Sequence, residues 1–142
     1  MRTRFLAIAS LAVLLLAGSA KAEGLLIIAN PSVKVAVPVS LSQVAAVYLL
    51  RVTAWADGRH IVPVNREATS AAREKFNAAV LQEDGATLAA YWNEMHFLGK
   101  EPPVVQESER AMLAFIQNVP GSIGYISASI APVNVEVLAH VP

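Results

Sequence analysis

Five consecutive apolar residues, Leu25-Leu26-Ile27-Ile28-Ala29, are stopped by Asn30-Pro31-Ser32. A run without polar alternation suits a strand buried on both faces, and such a strand needs covering elements on both sides. The rest of the chain supplies them. Ser40-Leu41-Ser42-Gln43 has the form of a capping box, and Leu41, Val44, Ala45, Tyr48 and Val52 follow at helical spacing, which predicts a helix over 41–50. Between these two elements, Val33, Val35, Val37 and Val39 alternate as in a strand, while Pro38 argues for an edge or a loop.

Asp57-Gly58 marks a turn ahead of a short apolar strand from His60 to Val64. Arg66 then falls in a polar loop, and a helix beginning near Thr69 or Ser70 turns Ala72, Phe76, Ala79 and Val80 to one side. After Asp84-Gly85, a further helix carries the stripe Leu88, Tyr91, Trp92 and Met95, whose spacing fits burial against a sheet. Pro102-Pro103 forces an extended stretch through Val104-Val105. Ser108 can cap a helix that faces Met112, Phe115, Ile116 and Val119 inward. Pro120-Gly121 ends it, and strands over 122–126 and 133–138 complete the chain. The predicted order β-α-β-α-α-α-β-β is that of an α/β domain with a small mixed or largely parallel sheet flanked by helices.

The N-terminus reads differently. Arg2 and Arg4 precede an apolar run from Phe5 to Ala17, and the small residues Ala20 and Ala22 fit a signal-peptidase site. Residues 1–22 are therefore expected to be a cleaved secretory signal, and 23–142 the mature domain, exported to the periplasm. An apolar run of this length is short for spanning a bilayer. Cleavage would remove Arg2, Arg4 and Lys21, leaving eight of the 11 basic residues against 11 acidic ones, a formal charge of −3. That balance argues against nucleic acid as a partner. The chain has no cysteine, which excludes a lipoprotein anchor, a disulfide framework, a thiolate nucleophile and a thiolate metal site.

Arg66, Thr69 and Ser70 are the candidate ligand-binding residues. A guanidinium, hydroxyls and the unpaired amides of a helix start are the donors that a phosphate or carboxylate takes. The same residues also read as a surface arginine beside an ordinary N-cap. Ser32 is a further candidate, because ligand contacts in open α/β sheets gather outside strand ends, although Asn30-Pro31-Ser32 equally reads as a plain strand exit. His60, His96 and His140 are scattered and lack metal-ligand spacing. No G-x-S-x-G is present, and no nucleophile–base pair stands out, so neither an enzyme nor a bound cofactor is expected.

Several ordered segments together resemble one family. These are Leu41 to Leu50 with Trp55-Ala-Asp-Gly-Arg59, Ile61-Val-Pro-Val-Asn-Arg66 with Ser70 and Arg73-Glu-Lys-Phe76, Tyr91-Trp92 with Phe97-Leu-Gly-Lys100, Pro102-Pro103, and Pro120-Gly-Ser-Ile-Gly-Tyr125. The pattern is similar to phosphate ABC-transporter substrate-binding proteins, and above all to short, single-lobe exported members of that group. The resemblance implies one lobe of a type II periplasmic-binding-protein-like fold. It also implies a site in which an arginine and a Ser-Gly-Thr beginning four residues later hold phosphate. Arg66 and Ser70 match that spacing, whereas Ala71 and Ala72 stand where Gly and Thr would be. Two functions follow. One is binding of phosphate or a similar oxyanion for an ABC transporter or sensor. The other is a ligand-free scaffold that contacts an envelope transporter, porin or sensor kinase. Pairing of two copies to rebuild a two-lobed cleft is a further expectation.

Overall fold

The computed structural model describes residues 23–142, so the expected signal segment, 1–22, lies outside the described residues. The apolar run forms β1 (Leu25–Ala29) and the capping box opens α1 (Leu41–Tyr48). Then come β2 (Val62–Arg66), α2 (Ala71–Phe76) and a π-helical turn (Asn77–Leu81). The chain finishes with α3 (Gly85–Phe97), β3 (Val104–Gln106), α4 (Glu109–Asn118), β4 (Ser122–Ser127) and β5 (Glu136–Val141).

The five strands make one mixed sheet in the order β3-β2-β4-β1-β5. Strand β2 runs parallel to β3 and β4, whereas β1 is antiparallel to both its neighbours, β4 and β5. Burial follows the pleat of β1. Leu25, Ile27 and Ala29 join Val44, Tyr48, Phe76 and Tyr125 beneath α1 and α2, while Ile28 faces Met112, Ile116 and Ile126 beneath α4. Strand β1 is thus covered on both sides. The α/β reading with a small mixed sheet flanked by helices holds.

Four local expectations change. The strand placed at 60–64 is shifted to 62–66, because His60 makes only an isolated bridge with Ala54. Arg66 therefore ends a strand, paired in register with Gln106, rather than sitting in a loop. The extended stretch at Val104-Val105 is a strand in its own right. The last strand starts at Glu136 because Asn134 takes a positive φ of 55° in a turn, where Val133 had been the expected start. Segment 33–39 is irregular, and its Val37–Pro38 bond is cis.

Helix α3 differs from the expectation in packing. Of Leu88, Tyr91, Trp92 and Met95, only Leu88 is buried. The Tyr91 and Trp92 rings lie edge to face at 5.1 Å, and the Tyr91 hydroxyl donates to the Leu49 carbonyl at the end of α1. Through Tyr91 the stripe is tied to the end of α1, and Leu88 alone in it is buried.

Candidate functional site

Parallel strands send their carboxyl ends to one edge of a sheet, and here β2, β3 and β4 all do so. Register fixes what meets there: Val62 lies opposite Ser122, and Leu25 lies opposite Ser127. The end of β2, the end of β4 and the start of β1 are therefore neighbours. Between them and the starts of α2 and α4 lies a cleft of about 410 Å³ whose lining includes Arg66, Ser70, Lys75, Glu109 and Ser127.

Arg66 is held first by its backbone. Its N–H donates to the Tyr125 hydroxyl (3.2 Å) and to Asn65 Oδ1 (3.1 Å), and its carbonyl accepts from Arg73 Nη1 at 2.6 Å. The Tyr125 hydroxyl in turn donates to Asn65 Oδ1. Beneath this network the Tyr125 ring stacks on Phe76 at 4.2 Å, and Phe76 packs against Tyr48 at 4.6 Å. A buried aromatic cluster thus fixes the strand end from which Arg66 projects.

The Arg66 side chain is only 9% exposed and is flanked by acids. Its Nε and Nη2 donate to the two oxygens of Glu67 at 3.2 and 3.1 Å. This paired hydrogen bond from Arg66 holds the Glu67 carboxyl below its usual pKa range. Nη1 lies 4.0 Å from Glu109 Oε1, and that oxygen accepts the Ser127 N–H at 2.7 Å. At the cleft's rim, the hydroxyls of Ser127 and Ser129 lower the pKa of Glu23.

The other predicted residues separate into two groups. Ser70 is the N-cap of α2, its hydroxyl accepting from Arg73 N at 3.0 Å, and it lines the cleft with Ala71 and Ala72. Replacing Ser70 by alanine leaves that amide unsatisfied and is expected to cost ~1 kcal/mol of unfolding free energy in urea titrations. Thr69 is exposed just before the cap. Ser32 is not brought to Arg66. Because β1 runs against β2, the end of β1 points to the opposite edge of the sheet, at least the length of β1 away, on the order of 13 Å at ~3.3 Å per residue. There the Ser32 hydroxyl accepts from Gly121 N at 3.0 Å. Gly121 has a φ of +79°, and a Cβ on it would collide with the His60 carbonyl, so this edge is a tight structural corner.

Glu67 and Glu109, the acids that meet Arg66, were not candidates from sequence. Adjacency was a signal for Glu67. None existed for Glu109, which the parallel β2–β3 pairing brings across from the start of α4. Among the described residues, no group of three or more His, Cys, Asp or Glu is arranged to hold a metal ion, and no helix is long and apolar enough to cross a membrane.

No protein-family model matches the chain, and no curated protein matches it. Solved structures do match. A protein assigned as a phosphate ABC transporter substrate-binding protein of Clostridium perfringens, solved with bound phosphate, superposes with a TM-score of 0.62 at 22% identity, over 82% of this chain and 44% of its own. An ABC-type phosphate transport receptor of Vibrio cholerae gives 0.64 at 19% identity, over 82% and 45%. PstS of Borrelia burgdorferi gives 0.66 at 17%, over 82% and 47%. The chain spans less than half the length of each of these structures, and over that span it has the fold of the phosphate ABC-transporter substrate-binding proteins.

Proposed function

We propose that the protein is a non-enzymatic solute-binding module of the periplasm, and that the acidic group of a small solute, phosphate or a similar oxyanion, is held in the cleft between Arg66 and the cap residue Ser70. The observation that carries this reading is the meeting of a buried guanidinium and the start of α2 at the carboxyl edge of three parallel strands. Open α/β sheets bind ligands at that edge. The likeness in fold to proteins named for phosphate transport supports the same reading. Ser32, on the other edge, has no part in it. Delivery of the solute to an inner-membrane ABC transporter or a sensor would be the module's task.

A specific observation favours a second reading. Two of the three guanidinium nitrogens of Arg66 already hold Glu67, and Ala71 and Ala72 offer no side-chain donors. In that reading the fold is a scaffold for protein–protein contact with an envelope transporter, porin or sensor kinase.

Calorimetry on the mature protein, with inorganic phosphate and small carboxylates as titrants, separates the two. Binding is expected in the wild type and at least tenfold weaker in Arg66→Ala, since a charge-assisted hydrogen bond contributes roughly 1.5–3 kcal/mol. No heat from any of these solutes at millimolar concentration, in a protein that unfolds cooperatively, favours the scaffold.

A further inference from the structure

A second pocket shares no lining residue with the Arg66 cleft and differs from it in kind. Its volume is about the same, 420 Å³, yet none of the side chains lining it is charged. Its floor is the buried set Val44, Val47, Ile61, Ile123 and Leu138. We propose that this pocket binds a small uncharged molecule with an apolar body and a hydrogen-bond acceptor at one end, such as a medium-chain alcohol or ketone.

The walls are fixed before any ligand arrives. Val39 N donates to the Leu138 carbonyl at 2.8 Å, which ties the segment carrying Val35 and Val39 to β5. Trp55 N donates to the Arg59 carbonyl at 2.8 Å, and its indole Nε1 to the Gly121 carbonyl at 2.9 Å. A ligand therefore does not have to order its own site. Water is a poor occupant, because an ordered water needs two to four polar partners, whereas dry apolar cavities take up small apolar molecules. Here the Trp55 N–H is already spent on Gly121, and the other polar side chains, Ser42 and Gln43, stand exposed at the mouth. The volume is within the ~300–1,000 Å³ of small-molecule sites. The lining sets the chemical class. An ion would give up its water here and find no opposite charge, a large cost. The acceptor end is set by Gln43, whose amide oxygen takes the Ser40 N–H and hydroxyl, both at 3.0 Å, so that its amide nitrogen is the end left to donate.

The test titrates the protein by calorimetry with butanol, hexanol and octanol, and with octanoate as the charged match to octanol. Affinity is expected to rise roughly fourfold per added methylene, and octanoate to bind at least tenfold more weakly than octanol. A bromohexanol reads the position, because bromine quenches an indole that it touches. Trp92→Phe leaves Trp55 as the only tryptophan, and saturable quenching that octanol reverses is expected in it. Ala46→Phe, which fills the pocket from α1, is expected to weaken octanol at least tenfold. Octanoate binding as tightly as octanol overturns the inference, and that comparison needs no variant to fold. Quenching of Trp55 that grows without saturation overturns it too, as does octanol binding unchanged in a folded Ala46→Phe. A dimer in solution that dissociates as octanol is added shows a second copy in the pocket and overturns the small-molecule assignment. None of these outcomes bears on the Arg66 reading.

Discussion

Replacing Phe76 with alanine is expected to lower the unfolding free energy by ~3–5 kcal/mol, the range for truncating a buried aromatic ring. Phe76 is fully buried, lies parallel to the Tyr125 ring within 5° and packs at a tilt against Tyr48. It is also the last residue of α2, so its ring ties the helix capped by Ser70 to the sheet. Aromatic pairs of this kind add ~0.5–1.5 kcal/mol to the area they bury. A domain of this size has on the order of 5–15 kcal/mol of net stability, so this one change removes a large share of it. The matched control is Phe97→Ala. Its ring is 88% exposed, and the expected change is within ~0.5 kcal/mol. Urea unfolding followed by far-UV circular dichroism reads both. A loss below ~1 kcal/mol for Phe76→Ala would mean that α2 does not rest on the sheet through this ring, and the placement of Ser70 beside Arg66 would fall with it.

What sequence could reveal here was local chemistry. The run at Leu25–Ala29 demanded two-sided cover and has it, and Ser40, Ser70 and Ser108 each cap the helix they precede. A cap is visible in sequence because donor and acceptor are three residues apart. Long-range pairing leaves no such mark. Arg66 read as a loop residue because it is charged, yet the parallel register with β3 makes it a buried strand end whose charge is met by Glu67 and approached by Glu109. Ser32 read as a ligand contact because it follows a buried strand. The rule behind that expectation assumes parallel strands, and β1 is the antiparallel one. The Tyr91–Trp92 stripe shows another limit. Helical periodicity does not say how deeply a face is covered or by what, and here only Leu88 is buried while Tyr91 is tied to the end of α1.

Raising the pH should reach this cleft through the residue beneath it. The Tyr125 hydroxyl is enclosed between Asn65 Oδ1 and the Arg66 amide, and burial raises its pKa from 10.0 to about 12. Tyr48, whose hydroxyl donates to the Val64 carbonyl at 2.7 Å, is pushed well above its ordinary value, first by burial and then by Tyr125. Both groups are neutral in the fold, while an unfolded chain ionises its tyrosines near pH ~10. Folded values above the unfolded ones mean a contribution that is fully present below pH 10 and is lost as pH rises from there toward 12. At ~1.4 kcal/mol per pKa unit, Tyr125 alone accounts for a loss of about 2–3 kcal/mol across that window, and Tyr48 steepens the fall. Urea midpoints measured at intervals up the same window should drop accordingly. Tyr125→Phe keeps the ring on Phe76 and removes the ionisable group. Its stability is expected to start lower by ~1 kcal/mol at neutral pH, for the lost hydrogen bonds, and then to fall less steeply in alkali, so that the two curves converge. Equal alkaline slopes in wild type and variant would mean that the Tyr125 hydroxyl is not enclosed, and the anchoring of the Arg66 strand end by this residue would have to be abandoned.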